Sequence, residues 1–218
     1  MRFIRTNALE LVFIGLLGFL FSGVAHAQVE AISQDDPEKM VLLVSNKVIS
    51  ELNANRELFE SSSAEVRAFA LNHVLPYIDT EKMARYVMGK YWRVASNEQK
   101  KGFVEAFTDT MIRSYSQSLL KLRIESVEVE KAREEKPGRV TVASKVAQSD
   151  GNKSDIIYRV YFNKSTNKWM LYDVAVEGIS MLLSYRKAYG SDISKKGLDA
   201  VIAEMQEKNS AFNSQATL

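Results

Sequence analysis

The sequence of 218 residues has no cysteine, only three prolines and two histidines, and its formal net charge is +2. The absence of cysteine excludes disulfide bridges, thiol nucleophiles, thiolate metal sites and lipid attachment through a thiol. With so few histidines, a metal centre would have to be built from carboxylates, which is uncommon for zinc. The small net charge disfavours a nucleic-acid-binding protein, which usually has a strong excess of basic residues.

The first 27 residues have the pattern of a secretory signal peptide. Arg2 and Arg5 precede an unbroken apolar run over residues 11–21, and Ala25-His26-Ala27 has the small–x–small form of a signal peptidase site. The apolar run is shorter than the roughly 20 residues that a membrane-spanning helix needs. We therefore predict cleavage after Ala27 and export of a single domain, residues 28–218; the alternative is a short N-terminal membrane anchor.

Hydrophobic periodicity predicts a helical part over residues 37–122. The first helix is predicted over residues 37–55. Ser62–Glu65 and Ser96–Gln99 have the capping-box form S-x-x-E/Q, so each should begin a further helix. Asp79 or the residue after it is expected to cap the helix between them.

The period changes to strand alternation over residues 123–176. Four strands are predicted, over residues 124–131, 139–148, 155–163 and 168–176. Turn sequences separate them, among them Lys136-Pro137-Gly138 and Asp150-Gly151, and short turns favour an antiparallel meander. The fold class is therefore predicted as α+β, with a four-stranded antiparallel sheet packed on helices.

Two C-terminal helices are predicted within residues 178–207. The first should run from Gly178 to Tyr189 and be stopped by Gly190. The second should cover residues 198–207. The polar tail from Lys208 is expected to be disordered.

Two catalytic motifs are incomplete in this sequence. The pair Gly89–Lys90 lacks the earlier glycine and the following hydroxyl residue of a phosphate-binding loop. Residues 178–180 resemble a nucleophile elbow, but Leu182 stands where the tight turn needs glycine. We therefore expect no ATP site at this loop and no serine hydrolase, and we expect Ser180 to cap a helix.

Two polar residues keep an enzymatic alternative open. His73 lies on the apolar side of its predicted helix, where a packed structural histidine is the favoured interpretation. Asp173 interrupts an apolar strand, either as an acid in a pocket or as a residue that holds a nearby loop by hydrogen bonds. A small isomerase or hydrolase using one of them is the alternative to a non-enzymatic protein.

Large apolar side chains are the distinctive resource of the chain: 8 Met, 10 Phe, 9 Tyr and 2 Trp. A sheet that is apolar on both faces beside a helical layer indicates an internal cavity, which would suit acyl chains better than polar metabolites. Two acyl chains with about 30 methylenes cost on the order of 24 kcal/mol to expose to water, at ~0.8 kcal/mol each. A lipid that crosses water therefore needs a carrier. Basic side chains form either an ordinary solvated face interspersed with acidic residues, which is the favoured interpretation, or a contact surface for headgroups, an anionic membrane or an acidic partner: Lys82, Arg85, Lys90, Arg93, Lys100 and Lys101.

Two blocks of sequence carry a family resemblance. The first contains Leu75-Pro76-Tyr77-Ile78-Asp79, Met83-Ala84-Arg85, residues 88–93 and residues 95–99. The second contains residues 169–174, 176–181, Tyr185-Arg186 and Gly197-Leu198-Asp199. Together, over about residues 41–207, they resemble the MlaC family, the toluene-tolerance auxiliary proteins of phospholipid ABC transport.

The resemblance implies a periplasmic phospholipid carrier of a Gram-negative bacterium. Such proteins shuttle lipid between an outer-membrane lipoprotein–porin complex and an inner-membrane ABC transporter complex with a substrate-binding ring, and they help to maintain outer-membrane lipid asymmetry. It also implies a curved antiparallel four-stranded sheet of the nuclear-transport-factor-like class, packed with a helical subdomain around an apolar cavity, and phospholipid as cargo without a cofactor. The residues themselves lead us to expect no metal, no nucleic-acid partner and no catalysis. A periplasmic chaperone for apolar peptides is a further alternative.

Twelve residues are predicted to line the lipid pocket. Six come from helices: Met83, Val87, Tyr91, Phe103, Phe107 and Met111. Six come from the sheet and its exit: Val142, Tyr158, Val160, Leu171, Val174 and Ile179. By analogy with the family Ile179 should face the lipid, so Ile179→Glu is expected to abolish lipid co-purification.

Overall fold

The structure, a computed structural model, describes residues 31–214. The predicted signal peptide and its cleavage site at Ala27 lie outside the described residues. Seven α-helices are described: α1 Pro37–Ala54, α2 Arg56–Ser61, α3 Ser63–His73, α4 Thr80–Met88, α5 Asn97–Lys121, α6 Met181–Lys196 and α7 Leu198–Ser214. Six strands are described: β1 Ile124–Val129, β2 Arg133–Lys136, β3 Arg139–Gln148, β4 Lys153–Asn163, β5 Lys168–Val176 and β6 Ile179–Ser180. None of the described helices is long and apolar enough to cross a membrane.

The predicted helix starts are confirmed by their capping hydrogen bonds. The Ser62 side chain accepts the backbone N–H of Glu65 at the start of α3. Ser96 and Gln99 form a reciprocal capping box at the start of α5. The Asp79 carboxylate caps α4 by accepting the N–H of Lys82 at 2.8 Å. Each bond satisfies a backbone donor that the helix leaves free at its N-terminus.

The C-terminal helices are longer than predicted. Gly190 lies inside α6, which continues to Lys196. The helix ends instead at Gly197, where φ is +85°, a backbone conformation that glycine adopts at little cost. The polar tail is helical to Ser214 rather than disordered from Lys208, since Asn209 is buried and its side-chain amide donates to the Ala106 carbonyl at 2.9 Å.

The antiparallel meander is confirmed, with two short strands added to the four predicted ones. The order is β1-β3-β4-β5-β6, and β2 pairs with the same strand β3 that β1 pairs with. β1 is therefore shorter than predicted: residues 130–132 leave the strand, and the chain rejoins β3 as β2.

A β-bulge in β5 sets which side chains share a face of the sheet. Opposite β4, Val160 pairs with Leu171 and Arg159 pairs with Asp173, so Tyr172 has no partner. The extra residue shifts the alternation by one position. As a result Leu171 and Val174 lie on one face of the sheet, whereas regular alternation would put them on opposite faces.

Three apolar clusters hold the described residues together. One cluster joins α4 to α5, α6 and α7 around the buried rings of Phe103 and Phe107. A second packs Met40 and Val41 of α1 on Val142 and other residues of β3 and β4. A third, smaller cluster joins α1 to α2 and α3.

One buried hydroxyl among the described residues has no hydrogen-bond partner. Ser144 is 1% exposed, and its Oγ is the one buried side-chain polar atom without a hydrogen-bond partner among the residues that the structure describes. Its cross-strand neighbours are Val129 and Ile156, which offer no polar group. A buried hydroxyl without a partner loses its hydration without compensation.

Ser144→Ala is therefore expected to raise the free energy of unfolding by about 1 kcal/mol, measured by urea denaturation. Ser180→Ala is the matched control, because the Ser180 Oγ donates to Asp173 at 2.6 Å. That control should lower stability by about 1–2 kcal/mol. A loss of unfolding free energy in Ser144→Ala equal to that in Ser180→Ala would mean that the Ser144 hydroxyl has a hydrogen-bond partner, and it would contradict this prediction.

Candidate functional site

An apolar cavity of about 180 Å³ lies between the sheet and the helical layer. Its helical walls come from α1 to α5: Val48, Leu52, Phe59, Val66, Phe69, Ala70, Met83, Met111, Ile112, Tyr115, Ser116, Leu119 and Leu120. The connection between α3 and α4 adds Val74, Leu75 and Ile78, and the C-terminal half adds Leu171, Val174 and Met181.

The bulge in β5 positions the sheet side of this cavity. It places Leu171 and Val174 on the same face, and both line the cavity. The chain before α4 is fixed at the same point, because Ile78 forms a parallel bridge with Leu171 and the Asp79 N–H donates to the Leu171 carbonyl at 2.8 Å. Strand, connection and α4 are thus held together where the cavity wall forms.

No lining side chain of the cavity is charged at neutral pH. The two polar ones are Tyr115 and Ser116, and the Ser116 hydroxyl is directed to the Arg113 carbonyl. Burial raises the pKa of Tyr115, and its hydrogen bond with Tyr185 raises that pKa further, so the phenol stays neutral. A cavity of this kind offers dispersion contacts and no ion partner, which suits a hydrocarbon ligand.

Asp173 serves the fold instead of lining this cavity. It is 2% exposed and accepts hydrogen bonds from the Ser180 hydroxyl at 2.6 Å and from the Leu182 N–H at 3.0 Å. Arg159, its cross-strand neighbour, forms an ion pair with it. The interpretation that Asp173 holds a nearby loop by hydrogen bonds is confirmed, and the expected helix cap at Ser180 is confirmed by its bond from the Leu183 N–H.

His73 is the last residue of α3, where its ring packs on Phe69 with centroids 5.2 Å apart. It does not line the cavity. Within residues 31–214 no group of three or more histidine and carboxylate side chains is placed to hold a metal ion.

Of the twelve predicted pocket residues, the structure brings four to the cavity: Met83, Met111, Leu171 and Val174. The other four helical ones lie in the cluster of α4 to α7. Val87, Phe103 and Phe107 are buried there, and Tyr91 packs against it. Phe103 and Phe107 do not reach the cavity because α5 is 25 residues long. The first half of α5 packs on Tyr185 and Tyr189, and only its second half lines the cavity.

The remaining four predicted residues lie on the sheet and its exit but do not line the cavity. Val142, Tyr158 and Val160 share a face with Leu171 and Val174, but α1 covers them, and the Tyr158 hydroxyl lies 3.4 Å from that of Ser45. Ile179 lies in the two-residue edge strand β6 with 67% of its surface exposed.

The side of the cavity formed by α1, α2 and α3 was not predicted. Val48 and Leu52 belong to the helical stripe of α1, so periodicity identifies them as apolar-face residues without saying which partner they meet. Helix α2 has six residues and was not predicted at all, yet its Phe59 lines the cavity.

Comparison with known proteins agrees with this architecture. The family model described as MlaC protein matches residues 43–207. The intermembrane phospholipid transport system binding protein MlaC of Haemophilus influenzae is 26% identical over 183 residues, which cover 83% of this chain and 85% of that protein. The toluene tolerance protein ttg2D of Pseudomonas putida is 26% identical over 174 residues, 77% of this chain and 78% of that protein.

A solved structure shows the same fold. It is a phospholipid-binding protein from Ralstonia solanacearum in complex with a phospholipid, and it superimposes with a TM-score of 0.73 at 23% identity. The match covers 81% of this chain and 98% of that one. Because the family model spans well over half of the sequence, the chain belongs to the MlaC protein family.

Proposed function

We propose that this protein is a phospholipid carrier that holds the acyl chains of its cargo in the cavity between β5 and helices α1 to α5. The observation that carries the proposal is the lining: nineteen residues, none charged, enclosed by helices and sheet. Sequestering about 30 methylenes from water is worth on the order of 24 kcal/mol, which makes such an enclosure the central requirement for carrying a lipid. The Haemophilus influenzae relative, whose name includes phospholipid transport, supports the same cargo.

The family and the predicted signal peptide support a proposal for the compartment and the partners. We infer a periplasmic protein, released after Ala27, that receives and delivers lipid at an inner-membrane ABC transporter complex and an outer-membrane lipoprotein–porin complex. In this role it sustains outer-membrane lipid asymmetry and catalyses no reaction. Direction would be supplied by the energised partner, since the sequence has no phosphate-binding loop.

The cavity must widen to take a whole lipid. Its volume of about 180 Å³ is below the 300–1,000 Å³ of typical small-molecule pockets, and a lipid with two chains is larger than most of those ligands. We expect α2 and α3 to move outward, because they are joined to the rest by the smallest of the three apolar clusters. In the loaded state the exposed Ile179 would meet the part of the lipid outside the present cavity.

The test is mass spectrometry of organic extracts from the purified protein. The expected result is phospholipid at a constant molar ratio to the protein, enough to supply one or two acyl chains per protein molecule, and retained through gel filtration. Protein that is empty after expression in a Gram-negative host, and that takes up no lipid from vesicles, would overturn the proposal. Stoichiometric apolar peptide in place of lipid would favour a chaperone.

A further inference from the structure

A separate groove of about 520 Å³ lies between the chain at Gly89–Tyr91 and helix α6. We call it the α6 groove. It shares no lining residue with the apolar cavity. Its charged lining residues are Lys90, Arg186 and Lys195, all basic, and no carboxylate lines it. On a chain with nearly equal numbers of acidic and basic residues, a groove lined by one sign of charge selects an anionic occupant.

Gly190 is the clearest sign that the α6 groove is kept open for an occupant. A glycine inside a helix costs about 1 kcal/mol relative to alanine. No neighbour requires it, because a Cβ built on Gly190 meets nothing within 4 Å. Because Gly190 lines the groove, a side chain at this position would occupy part of the groove.

The two sides of the α6 groove meet at Gly89 and Arg186. A Cβ on Gly89 would lie 3.3 Å from the Arg186 guanidinium, and Gly89 has a φ of +55°. The Arg186 guanidinium also lies over the Tyr86 ring, 4.7 Å from its centroid.

The spacing of the cations selects the shape of the anion. Arg186 and Lys195 are nine residues apart on one helix, which is about 13 Å along its axis and two and a half turns, so they border the groove from opposite sides of α6. A single phosphate group cannot meet both at once, whereas about four residues of extended chain cover that length. A flat membrane surface would not enter a concave groove.

We propose that the α6 groove is the docking site for an extended acidic segment of a partner protein, with two carboxylates about four residues apart. Apolar residues next to the groove complete the surface: Tyr86 is 43% exposed and Leu183 is 54% exposed, one turn before Arg186. Their position favours a segment whose acidic residues are flanked by apolar ones.

The test is a titration of the isotope-labelled protein, followed by amide NMR, with the peptide acetyl-Leu-Glu-Gly-Ser-Gly-Glu-Leu-amide. We expect shift changes confined to the residues of the α6 groove, with a dissociation constant of about 0.1–1 mM that rises with salt. Arg186→Glu and Lys195→Glu should each weaken binding at least tenfold. Lys187→Glu is the matched control: it makes the same charge change on the same helix, outside the groove lining, and should change affinity less than threefold.

Gly190 provides a second, independent readout. Gly190→Leu should abolish peptide binding by filling the groove, while raising the melting temperature by about 2–4 °C through better helix propensity. Peptide binding at wild-type affinity by Gly190→Leu and by both charge-reversal variants would overturn the proposal. So would the absence of shift changes with millimolar peptide, equal shift changes with inorganic phosphate or with the glutamine version of the peptide, or tight binding to anionic vesicles that Arg186→Glu abolishes.

Discussion

Ala70→Glu is expected to yield folded protein without bound lipid. Ala70 lies in α3 and lines the cavity, and it is partly exposed, so in the empty protein the longer side chain can reach water. An acyl chain in the cavity would remove that hydration from the carboxylate. Burying an unpaired carboxylate costs several kcal/mol, and each 1.4 kcal/mol weakens binding tenfold. Lipid per protein, measured by mass spectrometry, should fall below about one-tenth of the wild-type value.

The same substitution two residues earlier is the control. Ala68 is exposed on α3 and does not line the cavity, so Ala68→Glu makes an identical chemical change in the same helix. It should retain wild-type lipid, and both variants should have circular dichroism spectra and melting curves close to those of the wild type. Full lipid occupancy in Ala70→Glu would show that the acyl chains lie somewhere else.

Asp173→Ala is expected to destabilise the protein by about 2–4 kcal/mol, because the Ser180 hydroxyl and the Leu182 N–H would be left buried without an acceptor. Three donors lose their acceptor together: the Arg159 guanidinium, the Ser180 hydroxyl and the Leu182 N–H. The last two fix the connection from β5 through β6 into α6. Urea denaturation followed by tryptophan fluorescence measures the loss.

Asp155→Ala is the comparison for this prediction. Asp155 lies in β4 and pairs with Lys145 at 3.1 Å, but both side chains are more than half exposed. An exposed pair contributes about 0–1 kcal/mol, so this variant should unfold almost as the wild type does. Equal stability of the two variants would mean that Asp173 does not hold the connection. An Asp173→Asn variant that kept its stability but lost a measurable turnover would revive an enzymatic role.

Helix caps and turn sequences predicted much of the fold, because each of them depends on a few adjacent residues. Ser62, Asp79 and Ser96 each begin a helix for a reason visible within four residues of sequence. The end of α6 was missed because Gly190 and Gly197 are both glycines, and the backbone conformation that distinguishes them is set by packing.

The cavity could be predicted in kind but only partly in its residues. Periodicity identifies which side of α5 is apolar, but it cannot tell that Phe107 packs on Tyr185 while Met111 lines the cavity one turn later. That division depends on where other helices cross α5, which is a property of the tertiary arrangement. The α6 groove could not be predicted for the same reason, since its two sides are about 100 residues apart in sequence.

The bulge at Tyr172 has a consequence for how this sheet tolerates changes in chain length. Deleting that single residue would restore regular alternation without changing any pairing, because Leu171 and Val174 would then be two positions apart and would stay on one face of the sheet. Asp173 would keep its place on the opposite face, across from Arg159. A second deletion in β5 would find no extra residue to absorb it and would move every side chain on one side of the deletion to the other face. The bulge thus gives this strand a tolerance of one deleted residue.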